Sequence, residues 1–229
     1  MPIKLGQHAY TFGRVGTKGL WCRYLLYLPN GYLKRRRYRW PLLLFLHGSG
    51  ECGDDPEMVR RHGPPRRCDE RDDLPFIVLS PQSARDDHWS LPVLDAVLNH
   101  VLRRYRVDEE RIALTGLSFG GYGAWSMGIK HPDRFCCIAP VCGGGDPERV
   151  GVLQHVPVWV FHGENDGNVP IEESQVMVDA LRTAGGDVRF TVYTDAEHGV
   201  WTTTYANPEL YDWFLRHRRP QPTLATTTA

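Results

Sequence analysis

Thr115-Gly116-Leu117-Ser118-Phe119-Gly120-Gly121-Tyr122-Gly123 follows the short apolar run Ile112–Thr115 and opens a segment of helical character that continues to about Lys130. The stretch fits G-x-S-x-G in a strand, turn and helix setting. A turn that sharp tolerates only small neighbours, so Gly116 and Gly120 let the backbone fold tightly and leave the Ser118 hydroxyl at the carboxyl end of the strand. The helix that starts there points its first N–H groups at any negative charge developing beside the serine. The reading is a nucleophile elbow, a device that belongs to sheets built largely of parallel strands.

The chain on either side agrees with that reading. Apolar runs bounded by Gly, Pro and Asp alternate with helical periodicity, the pattern of an α/β domain with a mostly parallel sheet and helices on both faces. Strands are expected at Leu20–Leu28, Leu42–Leu46, Phe76–Ser80, Ile112–Thr115, Cys137–Val141, Val158–Phe161 and Arg189–Tyr193. The clearest helix runs from Pro92 to Tyr105, where Val93, Leu94, Val97, Leu98, Val101, Leu102 and Tyr105 recur at spacings of three and four. A second helix follows Pro170 and stops at Gly185-Gly186, and a third lies near Pro208 to Arg216. Residues 1–219 are expected to form a single domain, and the Thr- and Ala-rich tail 220–229 is expected to be frayed. No insertion long enough for a large lid interrupts the pattern, which favours an open cleft for small or protruding substrates.

A serine hydroxyl is a weak nucleophile until a base takes its proton, so the elbow requires a histidine and a carboxylate elsewhere in the chain. His198, in Thr194-Asp195-Ala196-Glu197-His198-Gly199, follows the last expected strand. Asp166, in His162-Gly163-Glu164-Asn165-Asp166-Gly167, follows the preceding one. Both loops leave the carboxyl ends of their strands, where open parallel sheets place their sites, and the order Ser, Asp, His is that of hydrolases with this elbow. Of the ten histidines, His198 is the expected base, while His47 and His162 end strands just before glycine and are expected to orient loops. Asp195 and Glu197 are rival acids, but they share the histidine's own short loop and would have to double back to its ring.

Leu46-His47-Gly48-Ser49-Gly50-Glu51-Cys52-Gly53 places a glycine-rich turn after another apolar strand. Acyl transfer needs two backbone N–H groups aimed at the oxyanion, one from the residue after the nucleophile and one from such an early loop. Phe119 supplies the first; Ser49 is the choice for the second, with Gly50 the alternative. Trp89 and Trp201 are candidate walls for an acyl or sugar group, weighed against core packing.

In these segments, together with Tyr27-Leu28-Pro29, Gly31-Tyr32, Pro81-Gln82, Val107-Asp108, Arg111-Ile112 and the loop to Pro170, the chain resembles the α/β-hydrolase fold serine esterases. Within them it looks like the dienelactone-hydrolase-like, phospholipase/carboxylesterase and feruloyl-esterase-like group. The resemblance spans about residues 27 to 215. It implies a serine hydrolase with Ser118, Asp166 and His198 as triad and no metal or organic cofactor, and the leading expectation is a carboxylic ester hydrolase acting on a small-molecule ester substrate. Phe119 stands where that group often has Met, and Cys52 where Arg is expected. The Phe alters a pocket wall without removing its backbone donor, whereas the Cys supplies no charged contact of the kind an Arg would make from that loop. A serine peptidase or amidase on the same site is the alternative, and a non-catalytic hydrolase-like binding module is a further one.

Composition narrows the partners. Lys plus Arg total 27 and Asp plus Glu total 27, so no net field is available to hold nucleic acid or an anionic membrane. The clusters Lys34-Arg35-Arg36-Arg37 with Arg39, Arg66-Arg67, and Arg216 with Arg218-Arg219 read as solvated charge. No apolar run approaches the roughly 18 residues of a membrane span, and the start lacks a signal peptide's apolar stretch, so a cytoplasmic location is expected. The six cysteines have no zinc or disulfide spacing. Cys136 and Cys137, adjacent in a strand-like run, are expected to point to opposite faces.

Overall fold

A computed structural model describes residues 3–15, 18–71, 73–84 and 88–219. Its strands are Gly6–Phe12 (β1), Cys22–Leu28 (β2), Trp40–Leu46 (β3), Ile77–Pro81 (β4), Val107–Leu117 (β5), Cys137–Val141 (β6), Val158–Gly163 (β7) and Val188–Tyr193 (β8). They form one eight-stranded sheet in the order β1-β2-β4-β3-β5-β6-β7-β8. β2 runs antiparallel to β1 and β4, and every later pairing is parallel. β3 and β6 are apolar along their whole length because both faces are covered. On β3, Leu42, Leu44 and Leu46 face one core layer while Leu43 and Phe45 face the other.

The helices are Gly63–Glu70 (α1), Leu91–Arg104 (α2), Phe119–Lys130 (α3), Glu172–Thr183 (α4), Trp201–Ala206 (α5) and Pro208–Arg216 (α6). α2, α3 and α4 cover the first layer, and α1, α5 and α6 the second. The periodicity read along α2 becomes its buried stripe of Leu94, Val97, Leu98 and Val101. Each of those side chains contributes roughly 1.5–3 kcal/mol of apolar burial.

The expected strands and helices are present with shifted edges. β2 begins at Cys22 rather than Leu20, because its partner β1 ends where Phe12 meets Cys22. β5 runs well outside Ile112–Thr115: it starts at Val107, which pairs with Trp40, so the charged segment Asp108–Arg111 is carried in strand. β1, α1 and α5 had no expectation. β1 is an edge strand of weak alternation, and α1 opens on consecutive prolines. The Cys136 and Cys137 sulfurs lie 3.8 Å apart in the same layer, which corrects the opposite-face expectation. Cys136 precedes the first residue of β6, so strand alternation does not govern it. Arg218 is paired rather than merely solvated: it bonds Asp108 and Glu110 at the start of β5. The expected tail 220–229 lies outside the described residues.

Candidate active site

The carboxyl ends of β3, β5, β7 and β8 lie along one edge of the sheet, and the loops leaving them carry His47 to Glu51, Ser118, Asp166 and His198. Ser118 is the residue between β5 and α3, with φ of 52° and ψ of −117°, a left-handed conformation that non-glycine residues rarely adopt. Its N–H is tied to the Val141 carbonyl at 2.8 Å. A Cβ on Gly116 would stand 2.1 Å from the Gly120 carbonyl oxygen, and one on Gly120 would stand 2.0 Å from the Leu46 carbonyl oxygen. Both positions are therefore closed to any side chain by backbone, which is the physical content of the glycine spacing.

His198 Nε2 lies 2.9 Å from Ser118 Oγ, and its Nδ1 lies 2.6 Å from Asp166 Oδ2. A carboxylate only accepts, so Nδ1 carries the ring hydrogen and Nε2 accepts from the serine. Asp166 Oδ1 accepts from the N–H groups of Asn168 and Val169 at 3.0 and 2.9 Å. Burial alone would raise the Asp166 pKa. The His198 bond, the Val169 and Asn168 amides and the His198 charge outweigh it and hold the carboxyl below its usual range. Asp195 and Glu197 are exposed, and the Asp195 N–H donates to Glu164 Oε2 at 3.1 Å.

Ser49 and Phe119 each open a helical turn, so their N–H groups have no intrahelical acceptor. Gly50 follows in the same exposed turn as Ser49. This loop is fixed by residues to which the sequence reading gave no role of their own. The buried Glu51 carboxylate accepts the Gly48 N–H at 3.0 Å, and Gln82 Nε2 donates to the Glu51 and Asp55 carbonyls at 2.9 and 2.7 Å. The Gly-x-x-Glu spacing, a capping pattern, was the available signal. His47 does orient a loop. Its Nε2 accepts the Ser83 N–H at 2.9 Å, so Nδ1 donates to the Gly48 carbonyl at 2.6 Å.

Burial pushes the His47 pKa down to about 4, against a smaller opposing effect of the Gly48 carbonyl. An unfolded chain takes up that proton near 6.5. Between those values only the unfolded state binds it, so stability is full above about pH 6.5 and falls as the pH drops to about 4, by up to about 3 kcal/mol. Urea midpoints at neutral and mildly acidic pH check this, and His47→Asn is expected to show a visibly smaller acid loss than wild type.

Trp89 is buried between the His47 ring, at 4.9 Å between centroids, and the Phe119 ring, stacked at 5.6 Å. It also lines a cavity of about 180 Å³ with Leu20, Trp21, Gly53 and Val93. Trp201 is half-buried and stands edge-on to His198 at 5.0 Å and to His62 at 5.7 Å. Its cavity of about 190 Å³ is shared with Arg66, Arg67 and Tyr205.

Among the described residues, Cys142, His162 and Asp166 bring ligand-type atoms within 4.8 Å of one another. Their chemistry does not suit an ion. Asp166 Oδ2 is taken by His198, His162 Nε2 faces the Val169 carbonyl at 2.9 Å and so carries hydrogen, and burial pushes the Cys142 thiol far up.

A family model described as the Prolyl oligopeptidase family matches residues 94–152 and 146–219, more than half of the chain. The chain belongs to that family. Its α/β-hydrolase fold is shared with the crystal structure of a thermostable esterase, with a TM-score of 0.83 and 34% identity over 93% of this chain and 64% of the other. A Yersinia pestis protein named, provisionally, as a carboxymethylenebutenolidase is 26% identical over 52% of this chain and 51% of its own length. The Caenorhabditis elegans dipeptidyl peptidase family member 1 is 28% identical over 45% of this chain and 16% of its own length. The chain thus spans about half the length of the first of these curated relatives and far less of the second. Within the family frame, β5, α3, β7 and β8, which carry Ser118, Asp166 and His198, all fall inside the matched residues.

Proposed function

We propose that this chain is a serine hydrolase that cleaves carboxylic esters through an acyl-enzyme. The observation that carries the reading is the unbroken hydrogen-bond line from Asp166 through His198 to a Ser118 held in a strained turn at the start of α3. His198 Nε2 takes the Ser118 proton as Oγ attacks the ester carbonyl, and Asp166 holds the imidazole in the tautomer that allows it. The oxyanion is stabilised by the Phe119 N–H and by Ser49 or Gly50. His198 then gives its proton to the leaving alcohol, and the same groups activate water to release the acid. Trp89 and Trp201, at the two cavities, are the proposed walls for the acyl and alcohol parts. The likeness to the thermostable esterase, with its 34% identity, favours esters.

A second reading, a serine peptidase or amidase on the same site, is favoured by the family match and by the dipeptidyl peptidase relative. A panel of p-nitrophenyl acyl esters of graded length, run beside aminoacyl-anilides, separates the two. The expected result is turnover of short acyl esters, unchanged by EDTA, with anilides hydrolysed at least about a hundredfold more slowly in kcat/KM. Comparable anilide turnover would favour the second reading. Loss of activity in EDTA would mean that the Asp166 and His198 loops do different chemistry.

A further inference from the structure

The Asp166 carboxylate is gripped from a second side. Its Oδ2, which accepts the His198 hydrogen, also lies 3.2 Å from Nε2 of His162. His162 belongs to the end of β7 and is fully buried. Its Nε2 faces two groups that only accept, the Val169 carbonyl at 2.9 Å and the carboxylate, so this nitrogen carries hydrogen. Its Nδ1 lies 2.7 Å from Ser174 Oγ. Ser174, on the first turn of α4, is fully buried as well. Its hydroxyl donates to the Gly143 carbonyl at 3.0 Å, which also accepts the Trp125 Nε1–H at 3.2 Å, so the serine that backs the His162 ring is itself held.

We propose that His162 is a positioning residue that steadies the Asp166 carboxylate for His198, through Val169 and through its approach to Oδ2. The proposal rests on the serine-hydrolase reading above. Two backbone N–H groups, of Asn168 and Val169, hold Oδ1, and the carbonyl of the same Val169 accepts from His162 Nε2 at 2.9 Å. The same Nε2–H stands 3.2 Å from Oδ2, so one ring backs both oxygens of the carboxylate, Oδ1 through Val169 and Oδ2 directly. No proton moves through His162 in the cycle: it keeps its Nε2 hydrogen throughout and acts only by holding. A histidine that merely filled the core would affect folding and not the chemical step.

The experiment is steady-state hydrolysis of p-nitrophenyl acetate by wild type, His162→Leu, His162→Gln and Ser174→Ala, each checked for a cooperative thermal transition. His162→Leu is expected to lower kcat by about tenfold to a hundredfold, the worth of one hydrogen bond to a charged group, with KM unchanged within about twofold. His162→Gln, whose amide can present an N–H near the Nε2 position, is expected to recover at least about fivefold of that loss. Ser174→Ala, almost isosteric, is expected to lower kcat by about threefold to tenfold. A folded His162→Leu that keeps kcat within about twofold, a loss confined to KM, or a Gln variant no better than Leu overturns the proposal. If His162→Leu does not fold, Ser174→Ala decides alone, and a kcat within about twofold of wild type overturns it. A wild-type chain without Ser118-dependent turnover would instead overturn the functional reading and this proposal with it.

Discussion

Ser118→Ala is expected to cut kcat for ester hydrolysis by roughly 10⁶-fold, the scale set by loss of the nucleophile in serine hydrolases with such a triad. The expectation follows from the geometry around a single atom. His198 Nε2 has Ser118 Oγ as its partner at 2.9 Å, and without that oxygen the Asp166 to His198 line ends on nothing that can attack a carbonyl. The backbone of the elbow is held by the Ser118 N–H to Val141 bond and by the close approach of Gly120 to Leu46, neither of which uses the hydroxyl. The variant should therefore fold with a melting temperature near that of wild type. Turnover of p-nitrophenyl acetate reads the loss, and a fluorophosphonate probe followed by peptide mass spectrometry should place its adduct on Ser118 in the wild-type chain. A fully active Ser118→Ala, or an adduct on another residue, would remove Ser118 from the chemistry.

Asp166→Asn is expected to reduce kcat by up to about 10⁴-fold while leaving the fold intact. An amide at this position can offer an N–H to His198 Nδ1, and the imidazole then places its hydrogen on Nε2, where it faces Ser118 and cannot accept the serine proton. The Oδ1 contacts to the Asn168 and Val169 amides can be kept by the amide oxygen, so the loop need not move. Asp195→Asn is expected to change kcat by less than about threefold. Asp195 is exposed and sits at φ of 57°, a conformation that Asn tolerates as well as Asp does. Steady-state kinetics on both variants give the comparison. Equal losses, or a larger loss at Asp195, would move the acid to the histidine's own loop.

The two expectations differ in how much of their basis was legible without coordinates. Ser118 was readable because the constraint on it is local. The backbone packing that closes Gly116 and Gly120 to side chains leaves its mark within five residues of sequence. The strands and helices around it were readable for a similar reason: burial on two faces writes continuous apolar runs into β3 and β7, and burial on one face writes a stripe into α2. Elements whose partners lie far along the chain left weaker marks. β1 is half-buried and owes its existence to pairing with β2, and α1 is defined less by its own periodicity than by packing on β1 and α5. The adjacent Cys136 and Cys137 show the same limit, since where β6 begins depends on its pairing with β5.

The sequence by itself determined that the fold is a covered parallel sheet, that a serine stands on a sharp turn at the end of one of its strands, and that a carboxylate and a histidine follow in order on later loops. Local sterics and hydrophobic period carry those facts, and both are functions of neighbouring residues. Only the tertiary structure decided between Asp166, Asp195 and Glu197 beside the His198 ring, buried Trp89 against the His47 and Phe119 rings while leaving Trp201 half-exposed, and put His162 and Ser174 behind the carboxylate. Those outcomes depend on which loops the strand order brings side by side. Asp166 and His198 are 32 positions apart and Ser118 and His198 are 80 apart, distances over which only the sheet, and no local preference of the chain, sets an angle or a hydrogen bond.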